Sequence, residues 1–359
     1  MSEPAATPAP AAPEPEPAGS TGAGSQEQDA QRTDTEESWP RIRGVAVTAD
    51  GAHPIAGREA LVRALQKPEC RVWVDLSAPS DVSVDDVTRL LDLHPLIAED
   101  IAERNQRAKF EEVEGAIHIV LFAIEYGGQL TTTEIDLVLT KTALLSVHEP
   151  GWDPFTIPQL RGDPGSVLKR GPDMVLYTLA DAIVDGYFPV LDNLEDEIDG
   201  LQDDVIAKPA TSTLEKVFSL KRELIGLRRA TSPAREIFNQ LTNRDLDLVP
   251  TEHIVYFRDV YDHLIRVTDE LDNDRDLLAG TLDVYLSTVN NNLSMIMKRL
   301  TGVTVILAGI GAVAGIFGMS EAQTALGGGG EGAGFWAVTA FVLMGAAITA
   351  IVLRRIDWI

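Results

Sequence analysis

The sequence predicts an α+β soluble domain followed by long stalk helices and a two-helix transmembrane hairpin at the C-terminal end. Three observations predict it. Short β-rich runs separated by turn residues occupy the stretch from Arg43 to Pro150. After Gly171 they give way to apolar residues spaced by three and four. Finally, Leu300–Met319 and Gly332–Leu353 carry no charge, and each has roughly the twenty residues that cross a hydrocarbon core.

The chain ahead of these elements, 1–42, reads as a disordered tail. It is built from Ala, Pro, Glu, Gly and Ser, and it has too few large apolar side chains to offset the entropy of ordering. No basic start followed by an apolar core is present, so a secretory signal is not expected. With 55 acidic against 30 basic residues the net charge is -25, which disfavours a nucleic-acid binder and suits attraction of cations or plain solubility. The single cysteine, Cys70, excludes an intramolecular disulfide framework.

The α/β domain is expected over 43–170, with strands at Arg71–Leu76, Ala116–Ile124 and Glu134–Val147. Between the first two, Val84–Ala102 has helical spacing and should break near Pro95. An acidic helical hairpin is expected over 171–250. Its first arm carries the seam Leu191, Leu194, Ile198, Leu201 and Val205, and its second runs from about Ser212 to Arg229. No Walker-type loop interrupts it. From Thr251 to Ser320 there is no proline, so 251–299 reads as a stalk helix continuous with the first span.

The membrane segments divide as 300–319 (first span), 320–331 (outer loop), 332–353 (second span) and 354–359 (basic tail). Lys298 and Arg299 precede the first span and Arg354 and Arg355 follow the second, while the loop has no basic residue. Both termini are therefore expected in the cytoplasm, with the spans in the cell's inner, plasma membrane and embedded in the lipid bilayer. The glycines of Gly309–Gly315 follow no strand, so they favour close helix packing over dinucleotide binding.

Steps of four and three from Asp283 pick out Ser287, Asn290, Ser294, Met297, Thr301, Thr304, Ala308, Gly311, Gly315 and Gly318, one helix face that is polar or small except at Met297. Such a face either packs tightly on a neighbouring helix or, in several copies around an axis, lines a lumen. A lumen of hydroxyls, amides and carbonyls suits a hydrated divalent ion, because Mg²⁺ sheds water reluctantly. Met297 and its neighbour Leu300 are the bulky residues placed to form a dewetting constriction. An inside-negative potential supplies the driving force, at roughly 2.3 kcal/mol per charge per 100 mV.

The stretches Leu93–Asp100 (LHPLIAED), Tyr256–His263 (YFRDVYDH), Asp283–Ser287 (DVYLS) and Gly315–Ser320 (GIFGMS) together resemble the CorA-type magnesium transporter family over essentially everything after the tail. The resemblance implies a funnel-shaped homopentamer of identical subunits and a channel for Mg²⁺ or Co²⁺; because no nucleophile–base pairing stands out, an enzyme is not expected, nor is an organic cofactor. It also implies a hydrophobic gate at Met297 and Leu300, and an outer filter at Gly318, Met319 and Ser320; Glu321, immediately outside and grouped with that filter, is expected to raise the local cation concentration. Regulatory divalent ions would bind between Glu99 and Asp100 of one subunit and Asp259 of another. The chain departs from the family's Gly-Met-Asn signature at Ser320, where a hydroxyl stands for a carboxamide. A zinc or other transition-metal transporter on the same fold, and a non-transporting membrane metal sensor or scaffold, stay open at this point.

Overall fold

The computed structural model describes residues 41–104, 107–207, 210–318 and 333–355; the tail expected to be disordered lies outside them up to residue 40. A seven-stranded sheet comes first: β1 (Arg41–Thr48), β2 (Gly51–Ala56), β3 (Arg71–Ser77), β4 (Lys109–Val113), β5 (Ala116–Tyr126), β6 (Leu130–Leu139) and β7 (Ala143–His148). Its order is β2-β1-β3-β7-β6-β5-β4; β3 and β7 run parallel and the other neighbours antiparallel. The helices are α1 (Arg58–Leu65), α2 (Asp81–Leu90), α3 (Pro95–Glu103), the short α4 (Pro158–Arg161) and α5 (Pro164–Arg170), α6 (Pro172–Asp185), α7 (Tyr187–Ala207), α8 (Thr211–Asn243), α9 (Ile254–Gly318) and α10 (Ala333–Arg355).

Alternation along the strands gives the sheet two apolar faces. Val72, Val74, Leu76, Val138, Leu145 and Val147 meet α1, α2 and α3 on one side. Trp73, Ile119, Leu121, Ile135, Leu137 and Leu144 meet the helices from α6 onward on the other. At the strand crowded against Trp73, Gly44 leaves no room for a side chain: a Cβ there would lie 2.0 Å from the Trp73 carbonyl oxygen.

Several elements differ from the sequence expectation, each for a local reason. The strands β1, β2 and β4 were not legible: β2 carries Pro54, tolerated because β2 is an edge, and β4 at the other edge is short and charged. The run expected as one strand over Glu134–Val147 is β6 and β7, joined by Thr140-Lys141-Thr142. That link has no Gly or Pro and is closed by Thr140, whose N–H donates to the Ala143 carbonyl at 2.8 Å. The helix expected to stop near Arg229 runs on to Asn243 through Pro233, because Ala230, Thr231, Ala234, Ile237 and Phe238 are buried and tertiary packing outweighs the lost backbone bond. The break at Pro95 separates α2 from α3, and the seam from Leu191 to Val205 is buried along α7.

The decisive element is α9, 65 residues without a break and therefore about 100 Å long. Its first part is fixed by Phe257, Val260, Leu264, Val267, Leu271 and Leu278, all buried against the preceding helices. Beyond Leu282 its sides lose cover. The joined α6–α7 stretch Pro172–Ala207 is also apolar and long enough to cross a bilayer, but 61 % of its most apolar window is buried in the fold, against 6 % in α9. Only α9 of these two exposes its apolar surface, so α6 and α7 are core helices and α9 needs another environment.

Candidate ion pathway and metal sites

The face of α9 that the sequence singles out is uncovered along its described length. Asp283, Ser287, Asn290, Ser294, Thr301, Thr304, Ala308, Gly311 and Gly315 are all exposed, and Met297 and Leu300 are 55 % and 59 % exposed. The large apolar residues on other sides, among them Leu286, Leu293, Ile296, Val303 and Leu307, are exposed as well. An isolated helix with both a polar stripe and an apolar remainder bare to solvent is incomplete: lipid, α10 and further helices are the surroundings that chemistry requires. α10 packs against α9, spans 23 residues with no charge before Arg354, and so matches the hydrocarbon thickness.

Within the stripe the threonines are preset as acceptors. Thr301 Oγ1 donates its hydrogen to the Met297 carbonyl at 2.8 Å, and Thr304 Oγ1 does the same to Leu300 at 2.8 Å. Each hydroxyl proton is thus committed to the backbone one turn back, leaving the oxygen lone pairs to take hydrogen bonds from water. Waters held by a cation point their hydrogens outward, which is the partner such oxygens need. Gly318 closes α9, and Met319, Ser320 and Glu321 lie outside the described residues.

The expected metal-binding acids fall into two groups. On α3, whose N-terminus is capped by His94 Nδ1 accepting from the Leu96 N–H at 3.2 Å, Glu99 is exposed and Asp100 half-buried. Lys109 donates to Asp100 Oδ2 at 2.7 Å. Asp259 belongs elsewhere: it is exposed on α9, one turn before His263, and its charge acts on Asp181 of α6. The structure thus brings Asp259 toward Asp181, Asp185 and His263; within a single chain it leaves Glu99 and Asp100 in the other group.

Asp181, Asp185 and His263 hold their ligand atoms within 4.8 Å of one another. His263 Nδ1 lies 2.9 Å from Asp185 Oδ1. Burial first, then the charges of Asp185 and Asp259, push the Asp181 carboxyl above its ordinary range, while His263 partly offsets them. The same surroundings, burial foremost, push the Tyr177 hydroxyl up to about 12. Asp181 Oδ1 is buried with no hydrogen-bond partner among the described residues. Carboxylates crowded in this way repel until a cation neutralises them. Sequence reasoning missed Asp181 and Asp185; the available signal was their spacing of four on a helix, which puts both on one face.

A sheet domain mounted on a 65-residue helix, with an uncovered polar stripe, a second apolar helix and acid clusters beside the stalk, is the arrangement expected of an integral membrane cation transporter. The chain belongs to the CorA-like Mg²⁺ transporter protein family, whose model matches residues 70–355. That family transports ions and is not a family of enzymes. The cobalt/magnesium transport protein CorA of Thermotoga maritima is 37 % identical over 255 residues, covering 69 % of this chain and 72 % of the relative. The putative metal ion transporter YfjQ of Bacillus subtilis is 27 % identical over 281 residues, 78 % of this chain and 87 % of that one. The complete structure of the CorA magnesium transporter from Methanocaldococcus jannaschii matches the fold with a TM-score of 0.75 at 22 % identity, over 89 % of this chain and 99 % of that chain.

Proposed function

We propose that the chain is one subunit of a homopentameric plasma-membrane channel that admits Mg²⁺ down an inside-negative potential, with both termini in the cytoplasm. The uncovered stripe from Asp283 to Gly315 carries this reading, because five such faces around an axis make a lumen of hydroxyls, amides and small residues. The relatives named for cobalt and magnesium transport support the ion class. Met297 and Leu300 close the lumen at the membrane's cytoplasmic edge by dewetting. Gly318, Met319 and Ser320 receive the hydrated ion at the outer mouth, and Glu321 raises the local cation concentration.

Gating follows from the acids. In the proposed assembly, Glu99 and Asp100 of one subunit face Asp259 of the next, and Asp181 and Asp185 enlarge the negative field around Asp259, which His263 partly offsets. A divalent ion bound there bridges subunits and stabilises the closed state; loss of cytoplasmic ion loosens it.

The test is uptake into proteoliposomes carrying a Mg²⁺-sensitive dye under an imposed inside-negative potential, with Co²⁺ and Zn²⁺ as parallel arms. Mg²⁺ entry that Asp259→Asn makes less sensitive to internal Mg²⁺ is expected. Entry of Zn²⁺ without Mg²⁺ would reassign the substrate, and no potential-dependent entry of any divalent ion would sink the channel reading.

A further inference from the structure

Glu111 on β4 and His118 on β5 stand directly opposite in the antiparallel ladder, so they share the face of the sheet on which α3 packs. α3 brings Asp100 to the same place, and the ligand atoms of Asp100, Glu111 and His118 lie within 4.8 Å of one another. His118 is fully buried, 0 % exposed. Its Nε2 lies 2.7 Å from Asp136 Oδ1, a hydrogen-bond contact that fixes the orientation of the ring. Its Nδ1 is buried and without a hydrogen-bond partner among the described residues.

An imidazole oriented by a carboxylate through Nε2, with its Nδ1 buried and unpartnered and two further carboxylates grouped with the ring, is the donor arrangement of a histidine metal ligand. We propose that His118 Nδ1, Asp100 and Glu111 form a binding site for a divalent transition-metal ion such as Zn²⁺ or Co²⁺. Asp136 positions the ring. The Lys109 ammonium, 2.7 Å from Asp100 and 3.5 Å from Glu111, holds the two carboxylates together with a single charge. A divalent ion displaces it and adds a nitrogen bond that the ammonium cannot make. Glu111 is exposed, which gives the ion its route in. The nitrogen donor separates this site from the oxygen-lined pathway, since Mg²⁺ takes oxygen ligands and Zn²⁺ and Co²⁺ accept imidazole.

The experiment titrates the full-length protein in detergent with Zn²⁺ against a competing chelator and without Mg²⁺, because Asp100 is shared with the proposed regulatory site and Mg²⁺ there would compete. Wild type should bind one more Zn²⁺ per chain than His118→Phe, which should keep wild-type Mg²⁺ uptake in proteoliposomes. Lys109→Met, which only removes the competing charge, should tighten that Zn²⁺ by about tenfold, and Asp136→Asn should weaken it by about tenfold or more. Equal Zn²⁺ stoichiometry in wild type and His118→Phe would overturn the proposal. So would weaker or unchanged Zn²⁺ binding in Lys109→Met, a result that stands even if His118→Phe does not fold.

Discussion

Replacing Asp274 by asparagine should stabilise the protein at neutral pH and do nothing in acid. Asp274 sits on α9 with 4 % exposure, and its Oδ2 is buried with no hydrogen-bond partner among the described residues. Burial first, then the charges of Glu195, Glu270 and Asp199, push its carboxyl up to about 6. The unfolded chain releases the same proton near 4. Between those values the folded state holds a proton that the unfolded state has lost, so stability falls as pH rises through the window, and the full penalty is present above about pH 6. A rise of about two pH units sets a ceiling of ~3 kcal/mol at ~1.4 kcal/mol per unit. The neighbouring acids are solvated, and screening reduces the gain to about 1 kcal/mol. Asparagine keeps the shape and removes the charge. Scanning fluorimetry of the full-length protein, in low salt with chelator present, should show Tm raised by about 2 °C at pH 7.5 and unchanged at pH 4. An equal gain at both pH values, or none at pH 7.5, would refute the repulsion argument.

Charge at the constriction should hydrate it: Met297→Asp or Leu300→Asp is expected to raise basal Mg²⁺ flux in proteoliposomes, and unchanged flux in both would remove these residues from the gate. Gly44→Ala forces a Cβ to within 2.0 Å of the Trp73 carbonyl oxygen, so β1 must shift. A loss of about 3 kcal/mol is expected, read as a lower Tm; a wild-type Tm would show that the strand pair absorbs the methyl group without strain. Ser320→Asn lengthens the side chain offered to the hydrated ion and should increase Mg²⁺ uptake at low external concentration. Lower uptake would mean that the outer site is built from other groups.

The long helix was legible because its causes are local. Absence of proline from Thr251 to Ser320 permits continuity, and a stripe repeating every three or four residues survives any packing around it. The uncharged runs were legible for a similar reason: a bilayer imposes its length on a single segment. Edge strands were not, since β2 and β4 owe their existence to neighbours that pair with them, and Pro54 argues locally against one. The end of α8 was not legible either, because the packing that carries it past Arg229 and Pro233 comes from other helices.

The metal-binding acids divide along that line. Glu99, Asp100 and Asp259 drew attention through contiguous motifs, whereas Asp181 and Asp185 acquire their meaning only when α6 is laid beside α9 and His263 reaches Asp185. His118 is the extreme case. In the sequence it is a lone histidine in an apolar run; in the fold, the β4–β5 register sets Glu111 across from it, β6 brings Asp136 to one ring nitrogen, and α3 delivers Asp100 to the same cluster. The sequence by itself determined what depends on one segment and its solvent: helix continuity, the spans, the stripe, and the acidic balance. Tertiary structure alone decided which titratable groups share a site, because ligand geometry and desolvation arise between segments far apart in the chain.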